Sequence, residues 1–180
     1  MNNPDLEFTE IYQKYSKLVY NLSLSYLQNK NDAQDITQEV FIKIHQKLHQ
    51  FNRQKASVKT WIYKITINHC LDFIKAKQTT KRFAFITKLF SAESNSPEND
   101  IPHFDHPGVR LENKEQLSIL FEQINKLPPQ QKTVIILLKV EQQNQKETAE
   151  IMGLSIKAVE SLFIRAKKNL LKKLDQNEGF

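Results

Sequence analysis

Glycine is nearly absent from this chain. Only Gly108, Gly153 and Gly179 occur among 180 residues, far below the ~7% of average usage. That excludes phosphate-cradling loops of the G-x-G-x-x-G or G-x-x-x-x-G-K type. It also argues against barrels and sandwiches built on many tight turns. Proline is confined to Pro4, Pro97, Pro102, Pro107, Pro128 and Pro129, so residues 5–96 and 130–180 contain none; such runs suit helices. A single cysteine, Cys70, leaves no internal disulfide and no cysteine-based metal cage. The longest apolar stretch, Val134 to Leu138, is far short of a membrane span. The first ten residues, MNNPDLEFTE, are acidic and polar, unlike a secretory signal. The expectation is a cytoplasmic protein with no membrane insertion.

What is abundant is positive charge. The chain carries 26 Lys+Arg against 20 Asp+Glu, a net charge of +6, which favours nucleic acid or a membrane surface as partner. The charge is uneven. Residues 1–87 carry 13 basic and 7 acidic groups, residues 88–115 carry 3 and 6, and residues 116–180 carry 10 and 7. Two basic blocks therefore flank an acidic segment.

Apolar spacing then divides the chain. Phe8, Ile11, Tyr12, Tyr15, Leu18, Val19, Leu22 and Tyr26 recur every three or four residues, predicting one amphipathic helix over 5–28. Asp32 is a candidate N-cap for a second helix with Ala33, Ile36, Val40, Phe41, Ile44 and Leu48 on one side. After a basic polar loop, FNRQKAS, a third helix is expected from about Val58 to Lys77. Residues 91–109 lack an apolar period and read as a linker. A further helix is expected from near Leu111, stopped by Pro128-Pro129, which can itself start the next. The overall expectation is an all-α protein: a helical bundle over 1–87, an acidic flexible linker over 88–110, and a second small helical domain over 111–180.

The stretch 145–174, QKETAEIMGLSIKAVESLFIRAKKNLLKKL, parses as two helices around a tight turn. Gly153 can take the left-handed conformation that ends the first helix, and Ser155 can cap the second. Ile156, Val159, Phe163, Ala166 and Leu170 fall on the expected buried face, and Leu154 is expected to anchor the turn. Lys157, Ser161, Arg165 and Lys168 fall outward, with Glu160 and Leu162 near the outer side. This is the helix-turn-helix pattern, whose second helix enters the major groove, where arginine can bond guanine bidentately. The bland alternative is a helical hairpin with a solvated basic face.

Both blocks together resemble sigma factors of the extracytoplasmic-function (ECF) type, the shortest class of bacterial transcription initiation factor. Three motifs carry the resemblance. DAQDITQEVFIKI (32–44) looks like the family's D-A-x-D-x-x-Q-x-x-F segment. TWIYKITINHCLDFIKAK (60–77) is similar to W-L-x-x-I-x-x-N-x-x-x-D-x-x-R. LPPQQKTVIILL (127–138), followed by the helix-turn-helix, looks like the family's second domain. Two departures stand in the recognition helix, where Ala158 and Leu162 replace the usual Thr and Arg.

The resemblance assigns roles. It implies that Asp35, Gln38, Glu39 and Phe41 dock on the clamp helices of the polymerase beta-prime subunit; a solvated helix face is the alternative, and Phe41 can equally serve the core. It implies that Phe51, Lys59, Trp61, Tyr63, Lys64 and Asn68 handle the −10 promoter element. Aromatic and basic residues interleave there, as single-stranded DNA requires: cations for the backbone and flat surfaces for unstacked bases. Trp61 can equally be a core residue. Asn68, an amide on an apolar helix, calls for a partner, either a backbone group or a base edge. The resemblance further implies that Ser155, Lys157, Ala158, Ser161, Arg165 and Lys168 read the −35 element, with the second domain resting on the polymerase beta flap. It gives the acidic linker a path through the polymerase cleft, and it implies an anti-sigma factor as regulator. No cofactor and no catalytic residue are implied.

Two rival readings of the sequence remain. A plain helix-turn-helix regulator explains 111–174 and leaves 5–77 as an unspecified effector domain. A metal enzyme is suggested only by His45 and His49, four apart, and by His103 and His106; neither pair has a Glu beside its first His or an evident third ligand.

Overall fold

The computed structural model describes residues 4–90 and 114–175, with side chains described over 7–80 and 116–175. Seven α-helices account for most of them: α1 (Pro4–Leu27), α2 (Lys30–Lys47), α3 (Val58–Phe90), α4 (Lys114–Asn125), α5 (Pro129–Ile135), α6 (Gln145–Met152) and α7 (Ile156–Asp175). A short 3₁₀ turn, Leu48–Gln50, follows α2, and a wide π turn, Ile136–Val140, continues α5. Among the described residues there is no strand. The chain is all-α, as its composition and periodicity predict. Most of the expected linker lies outside the described residues, as does Leu111; α3 continues to Phe90, three residues into the segment assigned to the linker.

The first three helices form one bundle. α1 contributes Ile11, Val19, Leu22 and Tyr26 to its interior, α2 contributes Ala33, Ile36, Val40, Phe41 and Ile44, and α3 contributes Ile62, Tyr63, Ile67 and Cys70. Each large apolar side chain withdrawn from water stabilises the fold by about 1.5–3 kcal/mol. Gln28 ends α1 in a left-handed conformation, φ 54°, where glycine is the usual occupant. The cap of α2 is Asn29 and not Asp32. The Asn29 side chain accepts from the Asp32 N–H at 3.0 Å, so Asp32 sits in the first turn, where its charge suits the helix dipole.

The second unit is α4–α7. Pro128 precedes α5 and Pro129 opens it, the position where a missing N–H costs nothing. α6 begins with a reciprocal cap. Asn144 Oδ1 accepts from the Glu147 N–H at 2.8 Å, and Glu147 Oε2 accepts from the Asn144 N–H at 3.0 Å. Gly153 ends α6 at φ +67°, and Ser155 Oγ accepts from the Ala158 N–H at 3.2 Å to start α7. The turn is therefore built as its sequence predicts. The face of α7 is rotated from expectation. Val159, Leu162 and Ala166 are its buried residues, Phe163 is half-buried, and Ile156 is exposed. α7 packs chiefly on α5, and Leu162 lies on the stripe with Val159 and Ala166 at i, i+3, i+7, so it belongs to the core and not to the outer side.

The two units are not separate beads. A single buried cluster includes Leu22, Tyr26, Tyr63 and Ile67 from the first and Leu127, Val134, Ile136 and Val159 from the second. α3 lies against α6.

Candidate nucleic-acid interface

The outer face of α7 is open. Ser155, Lys157, Ser161, Arg165 and Lys168 are all exposed, and Ala158 is half-buried beside them. Positions 157, 161, 165 and 168 share one helix face by their spacing. Arg165 Nε donates to the Ser161 carbonyl at 3.3 Å, a bond that does not use its terminal guanidinium nitrogens. Glu160 is exposed on the same helix. Lys139 and Lys167 lie 5.4 and 5.8 Å from the Phe163 ring centre, adding positive charge along the half-buried side.

The outer face of α2 carries Asp35, Gln38 and Glu39, all exposed, together with exposed Ile42. His69 Nε2–H donates to Glu39 Oε2 at 2.5 Å, while Lys43 Nζ stands 3.5 Å from His69 Nδ1. These links join α2 to α3 and hold Glu39 in place. Phe41, expected on the docking face, is only 4% exposed. It sits beside Val40 and Ile44 in the core, with its ring edge-on to Phe8 at 6.3 Å and to Tyr12 at 4.7 Å. Its rim still borders an apolar hollow of about 410 Å³ formed with Phe8, Tyr12, Ile42 and His45. The face thus combines acids, an amide and an apolar notch. His45 contributes its ring to that notch, 4.9 Å from Phe8.

The third set lies on and before α3, and the structure divides it. Phe51 stacks on Trp61 at 4.7 Å with 28° between the rings, forming an aromatic step at the start of the helix. Asn68 is exposed and makes no hydrogen bond within the described chain; being solvated, it does not require the backbone partner considered above. Lys64 and Asn68 line a cleft of about 320 Å³ whose other wall is Gly153 and Leu154, the turn of the helix-turn-helix.

Tyr63 and Lys59 are occupied. Tyr63 is 1% exposed, and its hydroxyl donates to Glu141 Oε2 at 2.9 Å. Lys59 Nζ donates to Gln143 Oε1 at 2.8 Å and lies 3.7 Å from Glu147 Oε1. The reason is the position of the second unit, which brings the segment between the π turn and α6 onto α3. Burial pushes the Glu141 carboxyl above the ordinary carboxylate range, with the Tyr63 hydrogen bond and Lys59 opposing the shift. Burial, then the Glu141 charge, pushes the Tyr63 phenol upward as well.

A second junction lies deeper. Lys132, 4% exposed, donates from Nζ to the Tyr26 carbonyl at 2.9 Å, near the C-terminal end of α1 where a cation is favoured. Its ammonium stands 5.0 Å from the Tyr26 ring centre. The Tyr26 hydroxyl donates to Thr133 Oγ1 at 2.9 Å. Burial pulls the Lys132 ammonium down to about 8, and burial pushes the Cys70 thiol up to about 12, so the thiol is inert and belongs to the core.

Residues Lys132, Glu141, Gln143 and Glu147 were not singled out from the sequence. The pattern Asn144-x-x-Glu147 is a legible capping box, which announces the start of α6. The partners across the junction carry no local signal, since they are 78 to 107 positions apart.

A helix-turn-helix with an open basic face, mounted on a helical bundle, defines a DNA-binding protein. The description "Sigma-70 region 2" matches residues 11–80, and "Sigma-70, region 4" matches residues 117–170. The chain is 28% identical over 163 residues to the ECF RNA polymerase sigma factor SigM of Bacillus subtilis, covering 89% of this chain and 91% of that one. It is also 28% identical over 181 residues to the ECF RNA polymerase sigma-E factor of Haemophilus influenzae, covering 94% and 95%. The fold is similar to that of CnrH in complex with the cytosolic domain of CnrY, with TM-score 0.64 and 20% identity over 96% of this chain and 90% of the other. It is equally similar to the sigma factor RpoE in complex with the anti-sigma factor NepR from Bartonella quintana, with TM-score 0.64 and 19% identity over 94% and 97%. The chain belongs to the sigma-70 family of RNA polymerase sigma factors, in its extracytoplasmic-function group. No described helix is long and apolar enough to cross a membrane.

Proposed function

We propose that this chain is the promoter-specificity subunit of a bacterial RNA polymerase, acting in the cytoplasm and performing no covalent chemistry itself. The observation that carries the reading is the order of its parts. A region 2 match over 11–80 precedes a region 4 match over 117–170, and the second ends in the open basic face of α7. The alternative of a plain helix-turn-helix regulator leaves the first match without a purpose.

The division of labour follows from residue chemistry. The acids and amide of α2, Asp35, Gln38 and Glu39, pair with cations of the beta-prime clamp helices, and the notch rimmed by Phe41 and Ile42 receives an apolar side chain. α7 lies in the −35 major groove. Arg165, with two free guanidinium nitrogens, addresses a base, and Lys157 and Lys168 hold phosphates. The second unit rests on the beta flap. The first unit then captures unstacked −10 bases along α3. Asn68 bonds a base edge, the Phe51–Trp61 step offers a stacking surface, and Lys64 attends the strand, while Lys59 and Tyr63 are held by the second unit. Stacking one base on an aromatic side chain is worth about 1–3 kcal/mol, comparable to the cost of unstacking it, so melting needs no nucleotide hydrolysis. A cytosolic anti-sigma factor is the expected antagonist, as the NepR partner of the Bartonella protein is for its own sigma factor.

Run-off transcription with purified core polymerase and a promoter library tests this. Promoter-specific transcripts that require the chain are the expected result. If the chain neither copurifies with core polymerase nor directs any transcript, the regulator reading replaces it.

A further inference from the structure

The outer face of α2 holds an acid and a base that ought to pair. Of Asp35, Gln38 and Glu39, only Glu39 has a lysine four residues on, Lys43. Glu and Lys at that spacing share a helix face and attract, and Glu first is the better order. Such a pair would compensate the Glu39 charge before any partner arrived. Among the described residues, no ion pair joins the two. His69 of α3 engages both instead. Its Nε2–H donates to Glu39 Oε2 at 2.5 Å, and its Nδ1 lies 3.5 Å from Lys43 Nζ. An ammonium can only donate, so Nδ1 faces it without a proton and the single ring proton sits on Nε2. The tautomer that holds Glu39 is therefore the one that Lys43 selects.

We infer that His69 is a positioning residue for polymerase docking, which withholds Lys43 from Glu39 and fixes the Glu39 carboxylate with its charge uncompensated. The inference rests on the docking role given to Glu39 above. The burial of the two side chains suits it: that of Glu39 is 57% exposed and that of His69 20%. The imidazole is thus the anchored member, and its bond to Oε2 leaves Oε1 for a cation of the partner. The anchor is firm because its neighbours on α3, Ile67 and Cys70, are buried in the bundle. A neutral imidazole brings no charge of its own, so the carboxylate keeps its attraction for partner cations. A long side chain already held in one rotamer also loses less freedom on docking.

The test titrates fluorescently labelled full chain with purified core polymerase. Circular dichroism and thermal unfolding check that each variant is folded. His69→Phe keeps a ring but removes both nitrogens, and is expected to weaken core binding about fivefold, within the range set by ordering one long side chain. His69→Gln retains an N–H donor for Glu39 and an acceptor for Lys43, and is expected to stay within about twofold of wild type. The decisive variant is the double change His69→Phe/Lys43→Met. Removing the competing cation is expected to restore most of the lost affinity, whereas Lys43→Met in the wild-type background changes it by less than about twofold. A purely structural role for His69 would show no such rescue, because taking away a second side chain cannot repair packing.

Three results overturn the inference: wild-type affinity in His69→Phe, a loss in His69→Gln as large as that in His69→Phe, or an equal effect of Lys43→Met in the two backgrounds. Failure of the docking reading has a separate signature, namely that Glu39→Ala leaves the affinity for core polymerase unchanged.

Discussion

In the proposed function the face of α7 and the face of α3 serve one promoter, yet they are built on opposite principles. α7 presents Lys157, Ser161, Arg165 and Lys168 to solvent, each on its own turn of a well-capped helix. α3 keeps Asn68 and Lys64 at the mouth of a cleft and commits Tyr63 and Lys59 to the second unit. Duplex DNA is always available to be read from outside, so an exposed helix suffices. Unstacked bases exist only after melting, and a surface for them has no use before that moment. The contrast teaches that accessibility, as well as residue type, distinguishes the two readouts.

The largest expected effect concerns Lys132, which secures the junction from below. Below pH 8 the folded and unfolded chains both hold its proton, and folding carries the full cost of a buried charge. From about 8 up to the ordinary lysine value of ~10.4, the unfolded chain binds more protons, so stability rises with pH. Against Lys132→Met, wild type is expected to gain up to roughly 3 kcal/mol across that window. Urea denaturation of both proteins at several pH values measures it, and parallel curves would mean that the ammonium is not desolvated. Rising ionisation of the unfolded Cys70 opposes the gain, but in both proteins alike.

Next in size is Arg165→Ala, expected to weaken −35 binding by about 1–3 kcal/mol in free chain and holoenzyme equally. A deficit confined to holoenzyme would break the claim that the α7 face is open throughout. Asn68→Ala follows, with about a tenfold loss of −10 use, the worth of one hydrogen bond at ~1.4 kcal/mol. Pull-down of core polymerase is expected to be unaffected, and normal initiation in a defined transcription assay would remove Asn68 from the site. The smallest is Gly153→Ala. No heavy atom lies within 4 Å of the added methyl position, so the cost is the left-handed backbone at φ +67° alone, about 1 kcal/mol. Gly153 borders the cleft and ends α6 just before the recognition helix, so a slightly lower thermal midpoint is expected for this variant, with both faces weakened together.

Much of this was legible in the sequence because it depends on near neighbours. Helix α1, the Pro128-Pro129 start, the Gly153 turn and the Ser155 cap are governed by residues within four positions. The outward placement of Lys157, Ser161, Arg165 and Lys168 on α7 also follows from its periodicity. The differences share a cause. A helical wheel puts Leu162 outside and Ile156 inside because it locates a stripe but not the neighbour that selects it; here α5 turns the stripe toward Val159, Leu162 and Ala166. Phe41 has neighbours in both the core and the notch, and only packing against Phe8 and Tyr12 decides its burial. Tyr63 read as a DNA-facing aromatic because its partner, Glu141, is 78 residues away. Asp32 lost the cap to Asn29 because both are good caps, and the left-handed Gln28 brings the chain into the helix earlier.

The π turn between Ile136 and Val140 acts as a mechanical register. Its hydrogen bonds reach back five residues, as from the Glu141 N–H to the Ile136 carbonyl at 2.9 Å, so the segment carries one residue more than an α-helical turn. Deleting a single residue there would let it wind as α-helix with both flanks still in phase, whereas deleting one from a regular α-helical turn beside it would swing everything beyond by roughly 100°. Glu141 would in that second case leave Tyr63 although no contacting side chain had been altered. The reach of the second unit onto the first is thus set by backbone length, and the wide turn holds the one residue the chain can lose without losing that reach.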